Sequence, residues 1–342
     1  NVTGVQTCAL PILKVGTTYS RILLGLILSD FLLTFLVPSG IARMVIMAAI
    51  ALGLIEAFGY GKGSNVGRGM FLILTYTAGV FDKSIIAGAA AITARGAIEK
   101  FGHVEVLWSK WLLAYLPSDI ITILVAWRIT LWLYPPETAS LPGGIEFLRD
   151  ELRKMGSMKG PEKKALALLV LAIGLWVTDF AHHIPSSVIG LGIGLLALMP
   201  RIGVLDIQAL KNISYMQIFF VGAAVSMGKV LAATKGLDVL TKVVLSWMTP
   251  LLTHTYISTF VLYWTGFFYH IFLASEISML ATSTPLVMNF AVTNHLNPLA
   301  IGMLWAFSAG GKIFVYQSGV LDRKSTRLNS SHIPLSRMPS SA

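Results

Sequence analysis

The sequence predicts an all-α, polytopic membrane protein. Of its 342 residues, 55% are hydrophobic and only 12% are charged, and the mean hydropathy is +0.74. Soluble domains carry about 25% charged residues, so half of the charge that a water-facing surface needs is missing. Disorder requires the opposite composition. Helices are the expected spanning elements, because barrel strands would alternate over stretches of about ten residues, whereas this chain has long apolar runs.

Two other classes of protein are excluded by composition. The net charge of +10 does not indicate nucleic-acid binding, because the basic residues are scattered between apolar runs and form no basic domain. The single cysteine excludes a disulfide framework and a cysteine metal site.

Both ends of the chain are predicted to be foreign to the natural sequence. Residues 2–12 and 322–342 back-translate to the two ends of a short-read sequencing adapter, so 1–12 and 322–342 are excluded from the fold prediction. On this interpretation the natural segment, 13–321, is a fragment that lacks both of its termini, and Cys8 is not biological. Residues 322–342 hold four basic and one acidic side chain, so the remaining net charge is +7 rather than +10.

The apolar stretches follow one another along the chain and divide into two groups. The first group is 22–43, 44–55, 70–94 and 108–134, and the second is 165–178, 184–200, 213–228, 243–275 and 277–311. The last two stretches contain no Asp, Glu, Lys or Arg. At ~1.5 Å per residue, each is far longer than a ~30 Å hydrocarbon core. Each is therefore expected to contain a break, a re-entrant turn or more than one pass.

A polar segment, 135–165, separates the two groups. Prolines and glycines at 135–136 and 142–144 stop any helix, and 146–154 has the pattern of an amphipathic charged helix. Its six basic residues place the segment in the cytoplasm by the positive-inside tendency, with an extracellular loop as the alternative. The predicted organisation is thus a first transmembrane half, 13–134, a cytoplasmic amphipathic linker, 135–165, and a second transmembrane half, 166–321.

Each half contains two interruptions in corresponding positions. In the first half they lie at 38–43 and 75–84, and in the second at 274–278 and 308–318. Paired interruptions are typical of a transporter built from repeats, with substrate and ion sites where helices break near the bilayer midplane. Unwound backbone is tolerated there only where it lines a cavity, and its N–H groups favour an anion.

These segments resemble the divalent-anion:sodium symporter family, which includes bacterial dicarboxylate, citrate and sulfate permeases. That family carries a Ser-Asn-Thr motif at the tip of each of two re-entrant hairpins. The corresponding triplets here are Ser39-Gly40-Ile41 and Ser275-Glu276-Ile277. The resemblance covers nearly all of 20–321, and its other anchors are Pro285 and the segments 151–163, 176–179 and 222–228.

The resemblance implies a fold, a function and an assembly. The fold has two inverted-repeat halves, each with a re-entrant hairpin and a broken helix. The function is secondary active transport of small divalent anions, dicarboxylates such as succinate and malate ahead of sulfate, across the inner, cytoplasmic membrane by alternating access. Sodium is the implied coupling ion, no other cofactor and no catalytic residue are expected, and the protein is expected to be a homodimer in the bilayer.

This sequence departs from the family at the signature itself. Isoleucine replaces the threonine of both triplets, and the family's Pro-Pro-Asn-type loops are replaced by sequences that contain Lys83 and Lys312. Isoleucine supplies no oxygen to sodium and a lysine repels it, so sodium coupling does not transfer residue by residue. Our hypothesis is that both lysines attract a dianion and that Asp82 or Glu276 carries a coupling proton, with Glu276 facing Lys312. The alternative is that both lysines snorkel or form a static salt bridge.

The predicted substrate- and ion-binding residues combine the two triplets with the second interruption of each half. They are Ser39, Gly40, Thr75, Thr77, Asp82, Lys83, Ser275, Glu276, Gly310, Lys312 and Gln317. Arg43, close to the first triplet, is a weaker candidate for an anion contact.

Two alternative functions stay open at this point. Another hairpin-type permease, for arsenite or a citrate–metal complex, would share the architecture. A membrane-embedded hydrolase or lipid-modifying transferase would need a nucleophile and a base, or a metal cluster. Ser275-Glu276 and His182-His183 are the candidate residues for such a site. The histidine pair precedes Pro185 between two apolar runs, which favours an interfacial position over metal binding.

Overall fold

The structure is a computed structural model that describes residues 18–37, 39–61, 63–86, 88–138, 150, 153, 159–206, 208, 211, 216–253, 255–272 and 275–311. Nearly all of these residues are helical, which confirms the predicted all-α fold. The helices are α1 (Tyr19–Leu36), α2 (Gly40–Ala57), α3 (Asn65–Ser84), α4 (Ala89–Gly102), α5 (Trp108–Leu133), α6 (Gly160–Val177), α7 (Asp179–His182), α8 (Ser186–Leu198), α9 (Met216–Ala233), α10 (Gly236–Leu245), α11 (Thr255–Phe272), α12 (Glu276–Thr293) and α13 (Pro298–Ser308). A 3-10 helix, Ser246–Thr253, connects α10 to α11.

Three stretches of the described residues are long and apolar enough to cross a membrane. They are Tyr19–Leu36, Asn65–Gly102 and Trp108–Leu133, and two shorter apolar helices, Ser186–Leu198 and Pro298–Ser308, accompany them. A helix of ~20 apolar residues matches the thickness of the hydrocarbon core. The chain is therefore a multi-pass membrane protein, as its composition predicts.

The helix break in the first half lies later than the sequence predicts. The sequence predicts the interruption within 75–84, but α3 is continuous to Ser84 and the next helix begins at Ala89; Ile85 and Gly88, between the two helices, have extended backbones. The polar residues of α3 do not interrupt it, because the hydroxyl groups of Thr75 and Thr77 bond to carbonyl oxygens of the preceding turn.

Buried side chains form two cores that meet near this break. The first core contains α1, α2, α3 and the second half of α5, and the second contains α4, the first half of α5, α12 and α13. Helix α5 joins both through one buried stripe, spaced by three or four residues, which consists of Trp108, Trp111, Tyr115, Asp119, Ile123, Ala126 and Thr130. Helices from both predicted halves thus pack together in the second core.

Two short connections, which lie partly outside the described residues, separate the helices that flank the site; we name them the first and the second hairpin tip after the sequence prediction. Residues 37–39 join α1 to α2, and 273–275 join α11 to α12. These are the places at which the sequence predicts re-entrant hairpin tips. That the hairpins are re-entrant and that the halves are inverted repeats stay predictions.

The predicted linker, 135–165, lies largely outside the described residues. At its start, the Glu137 carboxylate accepts hydrogen bonds from the backbone N–H groups of Asn65 (2.5 Å) and Val66 (3.3 Å), which lie at the beginning of α3. At its end, α6 already begins at Gly160. The half and linker boundaries, and the cytoplasmic position of the linker, stay predictions.

Candidate functional site

The first hairpin tip is formed by the start of α2 and the end of α3. Ser39 precedes α2, and its Oγ accepts a hydrogen bond from Ala42 N (3.4 Å). The backbone N–H group of Gly40, the first residue of α2, donates to Asp82 Oδ1 at 3.0 Å. A Cβ at position 40 would lie 3.0 Å from Ala78 O and 3.3 Å from the Asp82 carboxyl group, so the glycine lets this carboxylate reach the helix N-terminus. A carboxylate is stabilised there by the partial positive charge of the helix end.

Arg43 holds this tip together from inside the protein. Its side chain is 0% exposed, and its Nε lies 3.3 Å from Asp30 Oδ1 on α1. Its other nitrogens donate to Val37 O (3.2 Å) and Ala78 O (3.0 Å), and Nη1 lies 3.8 Å from Asp82 Oδ1. Arg43 thus connects α1, α2 and α3. The sequence suggested Arg43 as a weak anion contact, but in this arrangement its guanidinium binds groups of the protein itself.

The second hairpin tip repeats the capping of the first with different charges. Ser275 precedes α12, and its Oγ accepts a hydrogen bond from Ser278 N at 3.4 Å. Glu276 is the first residue of α12, and its Oε1 lies 3.2 Å from Lys83 Nζ; the two side chains are only 8% and 10% exposed. This buried ion pair joins the end of α3 to the second hairpin.

Gly310, which follows α13, completes the surroundings of Lys83. A Cβ built on Gly310 would overlap Lys83 Nζ and lie 3.0 Å from Phe307 O. Only a glycine leaves the lysine ammonium group in its present place. The structure therefore brings Lys83, Glu276 and Gly310, three of the predicted site residues, together.

Helix α5 packs three polar side chains against the end of α3 and the second core. Trp111 Nε1 donates to Lys83 O (2.7 Å), Ser84 Oγ lies 2.5 Å from Asp119 Oδ2, and Tyr115 OH donates to Met303 O (2.5 Å). Asp119 is 1% exposed. The end of α3 is thus held by both hairpins and by α5.

Asp82 and Lys83 are neighbours in the sequence but belong to different tips. Successive residues of a helix point about 100° apart, so that Asp82 contacts the start of α2 while Lys83 contacts Glu276. The last turn of α3 therefore links the two hairpin tips directly before the chain breaks at 85–88.

The remaining predicted residues have varied positions. Thr75 and Thr77 are buried within α3, and their hydroxyl groups donate to carbonyl oxygens of that helix. Lys312 and Gln317 lie outside the described residues, so the expected pairing of Glu276 with Lys312 stays a prediction. Glu276 pairs with Lys83, as in the salt-bridge alternative. The site roles of all predicted residues stay predictions.

Sequence analysis did not include Asp30 and Asp119 among the site residues. Both are charged residues within apolar stretches, and an ionisable residue inside a membrane is a functional candidate by default. That rule, applied to every such charge and not only to those near the interruptions, would have identified both residues.

The residues suggested for catalysis are engaged in local structure. His182 Nε2 lies 2.8 Å from Leu175 O, and Ile184 N donates to His182 Nδ1 at 2.9 Å, so the backbone occupies both ring nitrogens. Within the described residues, no group of three or more His, Cys, Asp or Glu residues is arranged to hold a metal ion. The nearest acid to Ser275 is Glu276, which is paired with Lys83.

Comparisons with known proteins agree with this architecture. The chain is 28% identical over 304 residues to a membrane protein of Cupriavidus necator. This alignment covers 86% of this chain and 58% of that protein. It is 24% identical over 324 residues to the sodium-dependent dicarboxylate transporter SdcS of Staphylococcus saprophyticus, covering 86% of this chain and 60% of that protein. It is 30% identical over 162 residues to the chloroplastic dicarboxylate transporter 1 of Spinacia oleracea, covering 45% of this chain and 28% of that protein.

The chain spans about three fifths of the length of the first two of these relatives. The model of one family, described as the sodium:sulfate symporter transmembrane region, matches residues 6–320. This match covers α1 to α13, and it confirms the resemblance to the divalent-anion:sodium symporter family. The chain belongs to the sodium:sulfate symporter family.

Proposed function

We propose that this protein is an ion-coupled secondary transporter that moves small divalent anions across the inner, cytoplasmic membrane by alternating access. Dicarboxylates such as succinate and malate are the first candidates, and sulfate is the second. Membership of the sodium:sulfate symporter family supports the class of cargo, and one relative is named a sodium-dependent dicarboxylate transporter. Membership also favours a transporter over the membrane-embedded enzyme considered above.

The observation that carries this proposal is the meeting of the two hairpin tips at the last turn of α3. The N-termini of α2 and α12 both lie there, at Gly40 and Glu276, directly before the break at 85–88. Helix N-termini and unwound backbone favour anions, and a lysine ammonium adds a full positive charge. A dianion bound at this place would replace the Glu276 carboxylate as the partner of the Lys83 ammonium group.

The proposed binding residues are those that the sequence predicts, with roles that follow from their positions. Lys83 binds a carboxylate or sulfate oxygen, Gly310 keeps space for its ammonium group, and the N-terminal ends of α2 and α12 add partial positive charge. Ser39, Gly40, Thr75, Thr77, Asp82, Ser275, Glu276, Lys312 and Gln317 complete the proposed set. We further propose that the halves are inverted repeats with re-entrant hairpins and that the protein works as a homodimer.

Sodium is the proposed coupling ion because the family and the relative SdcS are named for it. Each tip already has a fixed cation near its carboxylate, Arg43 at 3.8 Å from Asp82 and Lys83 at 3.2 Å from Glu276.

Uptake into proteoliposomes tests the function. The purified protein is reconstituted, and uptake of labelled succinate, malate and sulfate is followed with an inward sodium gradient and with choline in place of sodium. We expect uptake of at least one dianion above that of protein-free vesicles. Lys83→Met should lower it by about tenfold or more, because a charged hydrogen bond to the anion is lost.

The matched control is Lys110→Met, which removes an exposed lysine of α5 and should leave uptake unchanged. Absence of dianion uptake by folded protein, together with hydrolysis of a lipid or peptide, would instead support the enzyme. Sodium dependence of the uptake would identify the coupling ion.

A further inference from the structure

The carboxylates around the two hairpin tips outnumber the cations in the described part of the chain. Asp30, Asp82, Asp119 and Glu276 face Arg43 and Lys83, which leaves two excess negative charges if all the groups are ionised. A dianion adds two more negative charges in a setting of low dielectric constant, where like charges repel strongly. Among the described residues, the balance of charge therefore favours anion binding that brings positive charge, such as a proton, with the anion.

Three of the four carboxylates contact a cation, and two of these three also lie at a helix N-terminus. Asp30 contacts the guanidinium of Arg43, and Asp82 lies at the N-terminus of α2 with Arg43 nearby. Glu276 combines the N-terminus of its own helix with the ammonium of Lys83 at 3.2 Å. A proton on any of these groups would oppose a full or partial positive charge.

Asp119 has a different environment. It lies in the middle of α5, away from either end of that helix, and Ser84 Oγ, at the C-terminal end of α3, lies 2.5 Å from its Oδ2. A serine hydroxyl both donates and accepts, so it can bond to an ionised carboxylate and, after rotation, to a protonated one. The Ser84–Asp119 contact is thus compatible with either protonation state.

The groups that surround Asp119 couple it to the anion site. Lys83 of α3 lies within electrostatic reach and stabilises the ionised carboxylate. When a bound anion draws the Lys83 ammonium group toward itself, the attraction between Lys83 and the Asp119 carboxylate weakens. The negative charge of the anion then also repels this carboxylate. Among the described residues, four further titratable groups face α5 or lie on its buried stripe. They are Glu276 of α12, Tyr115 of α5 itself, Asp179 of α7 at the first turn of α5, and Tyr19 of α1 near the far end of α5.

We propose that Asp119 is a proton-binding residue of the transport site, which takes up one proton when a divalent anion binds beside Lys83 and releases it when the anion leaves. The Ser84 hydroxyl accepts the hydrogen bond of the protonated form. This inference rests on the proposed function, and it holds whether or not sodium is carried as well. Asp119 belongs neither to the two serine triplets nor to the set of binding residues that the sequence predicts.

Proton uptake on binding tests the proposal without depending on transport. Fumarate and sulfate are the probes, because both remain dianions at neutral pH and any proton taken up must go to the protein. Titration calorimetry of the purified protein, in buffers that differ in ionisation enthalpy, counts the protons bound with each anion. At pH values where Asp119 is ionised in the free protein and protonated in the complex, the wild-type protein should take up one proton, and its affinity should fall by about tenfold per pH unit.

Asp119→Asn should still bind the anion, but without proton uptake and with an affinity independent of pH. Asp119→Glu should restore proton uptake, because it restores the carboxylate. Glu56→Gln, an exposed carboxylate at the end of α2, is the matched control and should behave as the wild type.

The outcomes separate this inference from the proposed function. If fumarate or sulfate binds wild-type protein without protons, or if Asp119→Asn retains the full proton uptake, the role of Asp119 is wrong and anion binding stands. If neither probe binds and no dianion is transported, the proposed function fails and this inference fails with it. Should Asp119→Asn not fold, the wild-type proton count and the Asp119→Glu variant still decide the question.

Discussion

At both hairpin tips a serine caps the second helix with nearly the same backbone, but the two tips obtain their charges from opposite sides. Ser39 has φ −98° and ψ 114°, and Ser275 has φ −113° and ψ 126°. At the first tip the hairpin supplies the cation, Arg43, and α3 supplies the carboxylate, Asp82. At the second tip the hairpin supplies the carboxylate, Glu276, and α3 supplies the cation, Lys83.

The two tips also differ in how deeply their ion pairs are enclosed. Arg43 and Asp30 are 0% and 1% exposed, and Arg43 has two further bonds to backbone carbonyls. Lys83 and Glu276 retain 8% and 10% exposure and lie beside the space left by Gly310. The same local geometry thus supports a fixed anchor at the first tip and, at the second, an ion pair that an anion can open.

Removing the cation of each tip should have the largest effect and should separate them. Arg43→Met leaves Asp30 buried without its partner, which should lower the free energy of unfolding by about 3–5 kcal/mol. Lys83→Met should cost less, about 1–3 kcal/mol, because the N-terminus of α12 still stabilises the Glu276 carboxylate. Unfolding of the purified variants in an SDS titration measures both values.

Adding Asp30→Asn to Arg43→Met serves as the control for this pair of variants. It removes the uncompensated charge and should recover part of the lost stability, since the bonds to the carbonyls of Val37 and Ala78 are still missing. Equal losses of unfolding free energy in Arg43→Met and Lys83→Met would contradict the distinction between a fixed anchor at the first tip and an ion pair that an anion can open at the second.

Replacing the glycine at each tip by alanine should have effects of intermediate size. Gly40→Ala should mainly lower stability, whereas Gly310→Ala should mainly lower anion affinity. In Gly40→Ala, the new methyl group meets a backbone oxygen, Ala78 O, at 3.0 Å, so we expect a loss of about 1–2 kcal/mol of unfolding free energy. In Gly310→Ala, it meets the flexible end of Lys83, which can move, so stability should change by less than about 1 kcal/mol. Fumarate affinity of Gly310→Ala should fall by about tenfold, because Lys83 leaves its position.

Anion titration of both glycine variants, alongside their unfolding, checks this contrast. A Gly310→Ala protein that is strongly destabilised but binds fumarate normally would show that Gly310 serves packing and not the ammonium group of Lys83.

Local sequence was sufficient to single out charged and serine residues that lie at helix ends, but not to predict which of them pair. The serine triplets and the charges Asp82, Lys83 and Glu276 stand out against an apolar background, and all of them lie at the ends of helices. Which acid meets which base depends on how α3 is rotated between the two hairpins. A rotation of ~100° between successive residues sends Asp82 and Lys83 to different partners, and no local pattern encodes that choice.

The location of the break and the position of Asp119 show the same limit. Small and polar residues over 75–84 indicated an interruption, but their hydroxyl groups are satisfied within α3 and the helix continues to Ser84. Asp119 meets Ser84 across 35 residues of sequence, a contact that only the packing of α5 against both cores creates.

The serine caps should give the smallest effects, and equal ones. Each Oγ accepts one hydrogen bond at 3.4 Å from the N–H group three residues later, so Ser39→Ala and Ser275→Ala should each cost about 0.5–1 kcal/mol, the lower part of the range for N-caps. Ser→Thr at either position, which keeps the hydroxyl, should restore most of the loss. Unfolding in SDS compares the four variants under one condition. If Ser275→Ala proved much more costly than Ser39→Ala, the hydroxyl of Ser275 would have to bind more than the start of α12, and the two tips would differ in their capping as well as in their charges.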